Sequence, residues 1–230
     1  MNKLLVTALA ITLGLGGAPA SARAQAASCD IETRNRDVNS GAQSLIDATR
    51  EEAARQERLL NDARNILVRA IERGAADDAA AWYWLGTYYG LIDDPIAADS
   101  ALDRVEELKP ECVTETRGLR ASLWGARVNA GLDSLRNGRL EGALRHMQIA
   151  NVVHEERNLA LYYTAMIFVA QDVNDSALYY LKRVADIGAA DTLGLQQYAQ
   201  ALNRIATLYS ARQEWDSAAT WAWSARDVDA

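Results

Sequence analysis

The stretch Trp82–Pro110, WYWLGTYYGLIDDPIAADSALDRVEELKP, decides how this chain folds. It sets Trp82, Leu85, Gly86 and Tyr89 at W-x2-L-G-x2-Y spacing, follows them with Ala98, Leu102 and Val105, and closes on Pro110. Gly86 and Ala98 are small where two antiparallel helices must come close, and Trp82, Leu85, Tyr89 and Leu102 fill the space between them. Asp93-Asp94-Pro95 reads as the turn, since aspartate suits a helix N-terminus and proline is tolerated in the first helical turn. Pro110 cannot continue a helix and stops the second one.

This pattern resembles the 34-residue unit of the tetratricopeptide repeat (TPR) family. The resemblance implies a right-handed α-solenoid of antiparallel helix pairs that binds protein or peptide partners and is not an enzyme. The family's second helix is small, large, small at repeat positions 20, 24 and 27. The same signature recurs at Ala143, Met147 and Ala150, at Ala177, Leu181 and Val184, and at Ala218, Ala222 and Ala225. Ala63, Leu67 and Ala70 suit an earlier second helix, but Asp47, Arg50 and Glu51 interrupt the first helix expected before it. Five units therefore start near residues 44, 79, 124, 158 and 199. Two of the spacings exceed the family period by 11 and 7 residues, close to three and two helical turns. Whole-turn insertions keep the packed face inward, so the expectation is two lengthened first helices, Thr114 to Arg136 and Thr192 to Arg212. The units run 44–78, 79–112, 113–157, 158–191 and 192–230, after an N-terminal segment at 27–40. Asp175-Ser176, Asp216-Ser217 and Asp191-Thr192 are candidate caps. Gly74, Gly138 and Gly188 fall at turns or helix ends. No stretch alternates long enough to be a strand.

Residues 1–26 read as an export signal: Lys3, the apolar run Leu4–Leu15, and A-x-A sites at Ala18–Ala20, Ala22–Ala24 and Ala24–Ala26. The run is short for a bilayer span, and no other stretch reaches 18 apolar residues. The expectation is a mature chain without an integral span, exported across the inner membrane to a bacterial periplasm; an uncleaved anchor is the alternative. Removing Lys3 and Arg23 with the leader takes the formal charge from −7 to −9, which argues against a nucleic-acid partner. Cys29 and Cys112 are the only cysteines, and an oxidising compartment favours a disulfide. The residues also leave open free thiols, a bond between two chains, and lipidation of Cys29. Ala26-Ala27-Ser28 lacks the large aliphatic residue that a lipidation site carries.

Signatures of catalysis are absent from the sequence: no phosphate loop, nucleophile elbow or dinucleotide fingerprint occurs. His146 and His154 are two helical turns apart, too far for one metal, and no cofactor is expected. Binding residues follow instead from the resemblance, which lines the concave groove with first-helix positions. These are Tyr83, Trp84 and Thr87; Asn129, Leu132 and Arg136; Tyr162, Tyr163 and Met166; Asn203 and Arg204. Such a groove offers aromatic anchors with amide and guanidinium donors, as a peptide site requires. The same aromatics could equally be packed core. The lysine clamp with which some family members hold a C-terminal carboxylate has no counterpart here. At the C-terminal end, Trp215, Trp221 and Trp223 share one short helix, and at least one is expected to face outward. That marks an end-face interface for a partner or a homodimer, or else tryptophans folded over an open edge as a cap. An exported scaffold binding through its groove or C-terminal face is the leading reading. The rival is a structural subunit or assembly factor of a cell-envelope complex.

Overall fold

The computed structural model describes residues 29–154, 157–188 and 192–228. Residues 1–28, where the leader and its cleavage sites are expected, lie outside the described residues, as do Glu155, Glu156 and Asp191. Among the described residues there are ten α-helices and no strand. They form five antiparallel pairs: α1 (Arg36–Ala48) with α2 (Ala53–Ala70), α3 (Ala79–Leu91) with α4 (Pro95–Leu108), α5 (Val113–Arg136) with α6 (Leu140–Val153), α7 (Asn158–Ala170) with α8 (Asn174–Ile187), and α9 (Thr192–Ala211) with α10 (Trp215–Val228). The architecture is all-α, a row of five stacked helix pairs. The expected long helices are α5 and α9, at 24 and 20 residues.

One contact repeats inside the pairs. A Cβ added to Gly41 would meet Leu67 Cγ at 2.7 Å, one on Gly86 would meet Leu102 Cδ2 at 3.3 Å, and one on Gly131 would meet Met147 Cε at 2.8 Å. Leu67, Leu102 and Met147 are fully buried, each worth about 2–3 kcal/mol of apolar transfer. In the fourth pair Ala165 and Leu181 are fully buried in one cluster. The small residue lets the helices close, and the large one fills the notch.

The turns are equally regular. Asp93, Gly138, Asp172 and Gln213 have φ of 63°, 69°, 58° and 62°. The amide one residue on reaches back five residues each time: Asp94 to Tyr89, Arg139 to Ser134, Val173 to Phe168 and Glu214 to Tyr209, at 2.9–3.0 Å. This is the Schellman closure, which prefers glycine at its left-handed residue. Only the α5–α6 turn has one.

Three expectations change. The first pair begins at Arg36, not near residue 44, because Asn35 caps α1 through Asp37 and Val38, and Val38, Ala42, Leu45 and Ala48 already form a buried stripe. Arg50 and Glu51 lie in the connection that follows, so they interrupt no helix. Asp175 and Asp216 are first-turn residues of α8 and α10 rather than caps, and act through the helix dipole. Asp94 does cap α4, accepting from the Ala97 amide at 3.1 Å.

Cys29 is bonded to Cys112 across 83 residues, with Cα atoms 4.6 Å apart. The residues after Cys29 form a strap against α3. Lys109 Nζ donates to the Asp30 carbonyl, the Thr33 hydroxyl donates to Asp78, and Ile31 packs beside Ala79 and Val105. The apolar clusters divide at the same place. Two contain buried residues only from Val38 to Cys112, and two only from Val128 to Leu208. The disulfide thus ties together the two ends of the first two pairs.

Gln213→Gly should raise stability by about 0.5–1 kcal/mol, because glycine adopts the left-handed conformation without steric cost; denaturant unfolding measures it. The Cys29→Ser/Cys112→Ser double variant should lose roughly 2–4 kcal/mol, a value expected for a long closed loop. Hydrogen exchange should place that loss in α1–α4 and leave α7–α10 protected.

Candidate functional site

The strap covers a cleft at the N-terminal end of the solenoid. Cys29, Asp30, Ile31 and Glu32 form one wall, Asn39, Ala42, Gln43 and Ile46 of α1 the second, and Tyr83 and Trp84 of α3 the floor, enclosing about 610 Å³. Tyr83 and Trp84 meet edge to face at 5.6 Å, an arrangement that aromatic quadrupoles favour. Both rings are half-buried, Trp84 against the cluster of the first two pairs and Tyr83 against that around Cys112. One face of each packs and the rest lines the cleft. Asp30 and Glu32 give the rim two carboxylates, while Asn39 and Gln43 add amides. Thr87 donates its hydroxyl to the Tyr83 carbonyl at 3.0 Å and steadies α3 from within.

The remaining groove residues separate into two groups. On α5, Asn129 and Arg136 are exposed, and Arg136 pairs with Asp133 of its own helix. Leu132 packs with Tyr163 against the Val128–Met147 cluster. Further along, Tyr162 of α7 meets Tyr163 edge to face at 5.8 Å and lies within electrostatic reach of Arg204 on α9. Burial pushes the Tyr162 phenol above its usual pKa, and the Arg204 guanidinium pulls part of that back. Met166 is half-buried on the same helix. Asn203 donates its amide to the Ala199 carbonyl at 3.1 Å. Along this row of first helices, α3 meets α5 and α7 meets α9, each through a small contact, while α7 packs chiefly on α6 and α8. The aromatic groove residues lie on α3 and α7.

At the C-terminal end, Trp215 is 63% exposed and Trp223 57% exposed, whereas Trp221 packs against the cluster of the last two pairs. Arg226 stacks over Trp223 at 4.0 Å.

A second polar assembly was hidden from sequence reasoning. Arg120 of α5 reaches across to three carboxylates of α4: Asp99 at 2.6 Å, Asp103 at 2.5 Å, and Glu106, which also accepts from Thr116. The Arg120 side chain is only 13% exposed. Next to it Arg127 pairs with Asp93 at the α3–α4 turn. Burial raises the Asp99 pKa, with the Arg120 hydrogen bond opposing it. These ion pairs join the two apolar bodies where no buried cluster spans them. Arg120 lies 14 to 21 residues from its partners, a separation that no short motif reports. No group of three or more His, Cys, Asp or Glu side chains among the described residues could hold a metal ion. No helix among them is long and apolar enough to cross a membrane.

No family model matches the sequence, and no curated protein does. Among solved structures the chain is similar to MamA of Desulfovibrio magneticus RS-1, at 12% identity over 86% of this chain and 97% of that one, with a TM-score of 0.40. It is also similar to PilF of Pseudomonas aeruginosa, at 14% identity over 84% and 91%, TM-score 0.36. A thermophilic TPR protein of Thermus thermophilus is similar at 17% identity over 81% and 90%, TM-score 0.33.

Arg120→Met should cost about 3–5 kcal/mol, since it leaves partly buried carboxylates facing one another uncompensated. Chemical denaturation gives the loss, and hydrogen exchange should show α4 and α5 opening before the helices on either side.

Proposed function

We propose that this protein is an exported, non-catalytic scaffold that takes a peptide or protein segment in the cleft between the strap, α1 and α3. The observation that carries it is the half-buried Tyr83–Trp84 pair on the floor of an open cavity, an aromatic anchor site rimmed by hydrogen-bonding groups. The rim carries Asp30 and Glu32, so the ligand of best fit offers an apolar anchor flanked by basic residues. Tyr162 and Arg204 form a second patch further along, suited to a longer segment. The Cys29–Cys112 bond supports an oxidising compartment such as the periplasm, and agrees with the leader expected at residues 1–26.

The rival reading, a structural subunit of an envelope complex held by its end, draws on the exposed Trp215 and Trp223.

Affinity capture from the native envelope separates the two. Gln43→Trp fills the cleft from an exposed position, and Tyr83→Ala removes the anchor. Both should lower recovery of the main partner at least about tenfold, the loss of one hot-spot contact, while the circular dichroism spectrum stays unchanged. Full recovery with both variants would overturn the cleft as the site. Loss confined to Trp215→Ala and Trp223→Ala would favour the end face.

A further inference from the structure

The fifth helix pair lacks the feature that closes the other four. Its small residue, Ala206, has no large counterpart, because the corresponding position on α10 is Ala222, and Ala222 is exposed. What remains is an open hollow of about 750 Å³ floored by Ala206, Ala218 and Ala222 and rimmed by Asn203, Thr207 and Trp215. An apolar notch of this kind lacks an inserted side chain, and no described residue of the chain supplies one.

We infer that a second copy of this chain supplies it, through an antiparallel α10–α10 pairing about a two-fold axis. The inference rests on reading the α10 face as an interaction surface, and adds the identity of what binds there. Trp215, Ala219, Ala222 and Arg226 are all exposed, and their i, i+4, i+7, i+11 spacing lines them along one stripe. That stripe complements itself. With the axis between Thr220 and Trp221, Ala219 of each copy meets Ala222 of the other, so the backbones cross where side chains are smallest. Trp215 of each copy meets Arg226 of the other, a cation over an indole. Arg226 already makes this contact with its own Trp223, which shows that the guanidinium lies at ring height on this face. Charge agrees: Arg226 arrives beside Asp216 of the second copy, at the N-terminal turn of α10. The same rotation brings Trp223 over Ala218 of the second copy, at the mouth of the hollow.

An isologous contact needs knob and hole on one surface, and this face has both. Area agrees as well. At the exposures above, the two tryptophans offer together roughly 300 Å² per chain, on the ~250 Å² scale of a whole tryptophan side chain. That is more than a third of the ~800 Å² each partner contributes to a standard interface.

Light scattering after size exclusion, and sedimentation equilibrium up to roughly 100 µM, should show the wild-type chain as a dimer with a dissociation constant on the order of micromolar. Ala222→Arg, which places two charges at the crossing without touching the core, should be monomeric with an unchanged melting curve. Register is tested by cysteine pairing: an equimolar mixture of Ala219→Cys and Ala222→Cys chains should cross-link under mild oxidation far more than either alone. A monomeric wild type overturns the pairing, as does a dimer that survives Ala222→Arg or cross-links best within one variant. A monomer that captures a different protein through Trp223 also overturns it, while leaving the end face a binding surface. None of these outcomes bears on the cleft at Tyr83, which lies at the other end of the solenoid.

Discussion

Everything in this molecule depends on how closely two helices can lie within a pair. A glycine or alanine on the first helix opens a notch, and a leucine or methionine of the second enters it. Leu67, Leu102, Met147 and Leu181 do this in turn and lie at the centre of their pairs with no exposed surface. Because the contact is local to each hairpin, the pairs can tolerate variation elsewhere. Whole turns have been added to α5 and α9, and neighbouring pairs meet through quite different chemistry, yet four of the five hairpins keep the same small-to-large contact. What the hairpins leave uncovered is a cleft where the strap lies across α1 and α3, and a hollow where the notch is left empty.

The junctions between pairs are where the chain is least uniform. Apolar side chains join the first pair to the second, and others run on from the third to the fifth. Between the second and third, Arg120 gathers Asp99, Asp103 and Glu106, Arg127 takes Asp93, and Leu123 rests on Gly90. An ion cluster depends on geometry in a way that an oily contact does not, so it fixes one angle between the two halves. It also weakens as carboxylates are protonated or screened, so this junction is sensitive to pH and salt in a way the apolar ones are not.

Much of the architecture was legible because its signals are short-range. In the second, third and fourth pairs the small and large residues of the notch are 16 positions apart, as in Gly86–Leu102 and Gly131–Met147, and the surplus of whole turns in the spacings located both long helices. The first pair escaped because Gly41 lies 26 positions before Leu67. A longer α2 and its connection displace α1 from where a regular unit would begin. The caps at Asp175 and Asp216 were misplaced by two residues because the Schellman closure, not a side chain, sets where those helices start. The groove was legible only as a set of positions. Which of its aromatics stay half-open depends on the strap and on how α5 and α7 sit, and both are long-range facts. The Arg120 cluster was invisible for the same reason.

The Cys29–Cys112 bond also sets how the molecule would carry tension. A pull applied to the chain before Cys29 passes through the sulfur bridge straight to the start of α5, so α1 to α4 hang beside the load path as a slack loop. The cleft they frame would keep its shape while the later pairs stretched. The bridge thus divides the chain mechanically at Cys112, with α1 to α4 outside the load path and α5 to α10 within it.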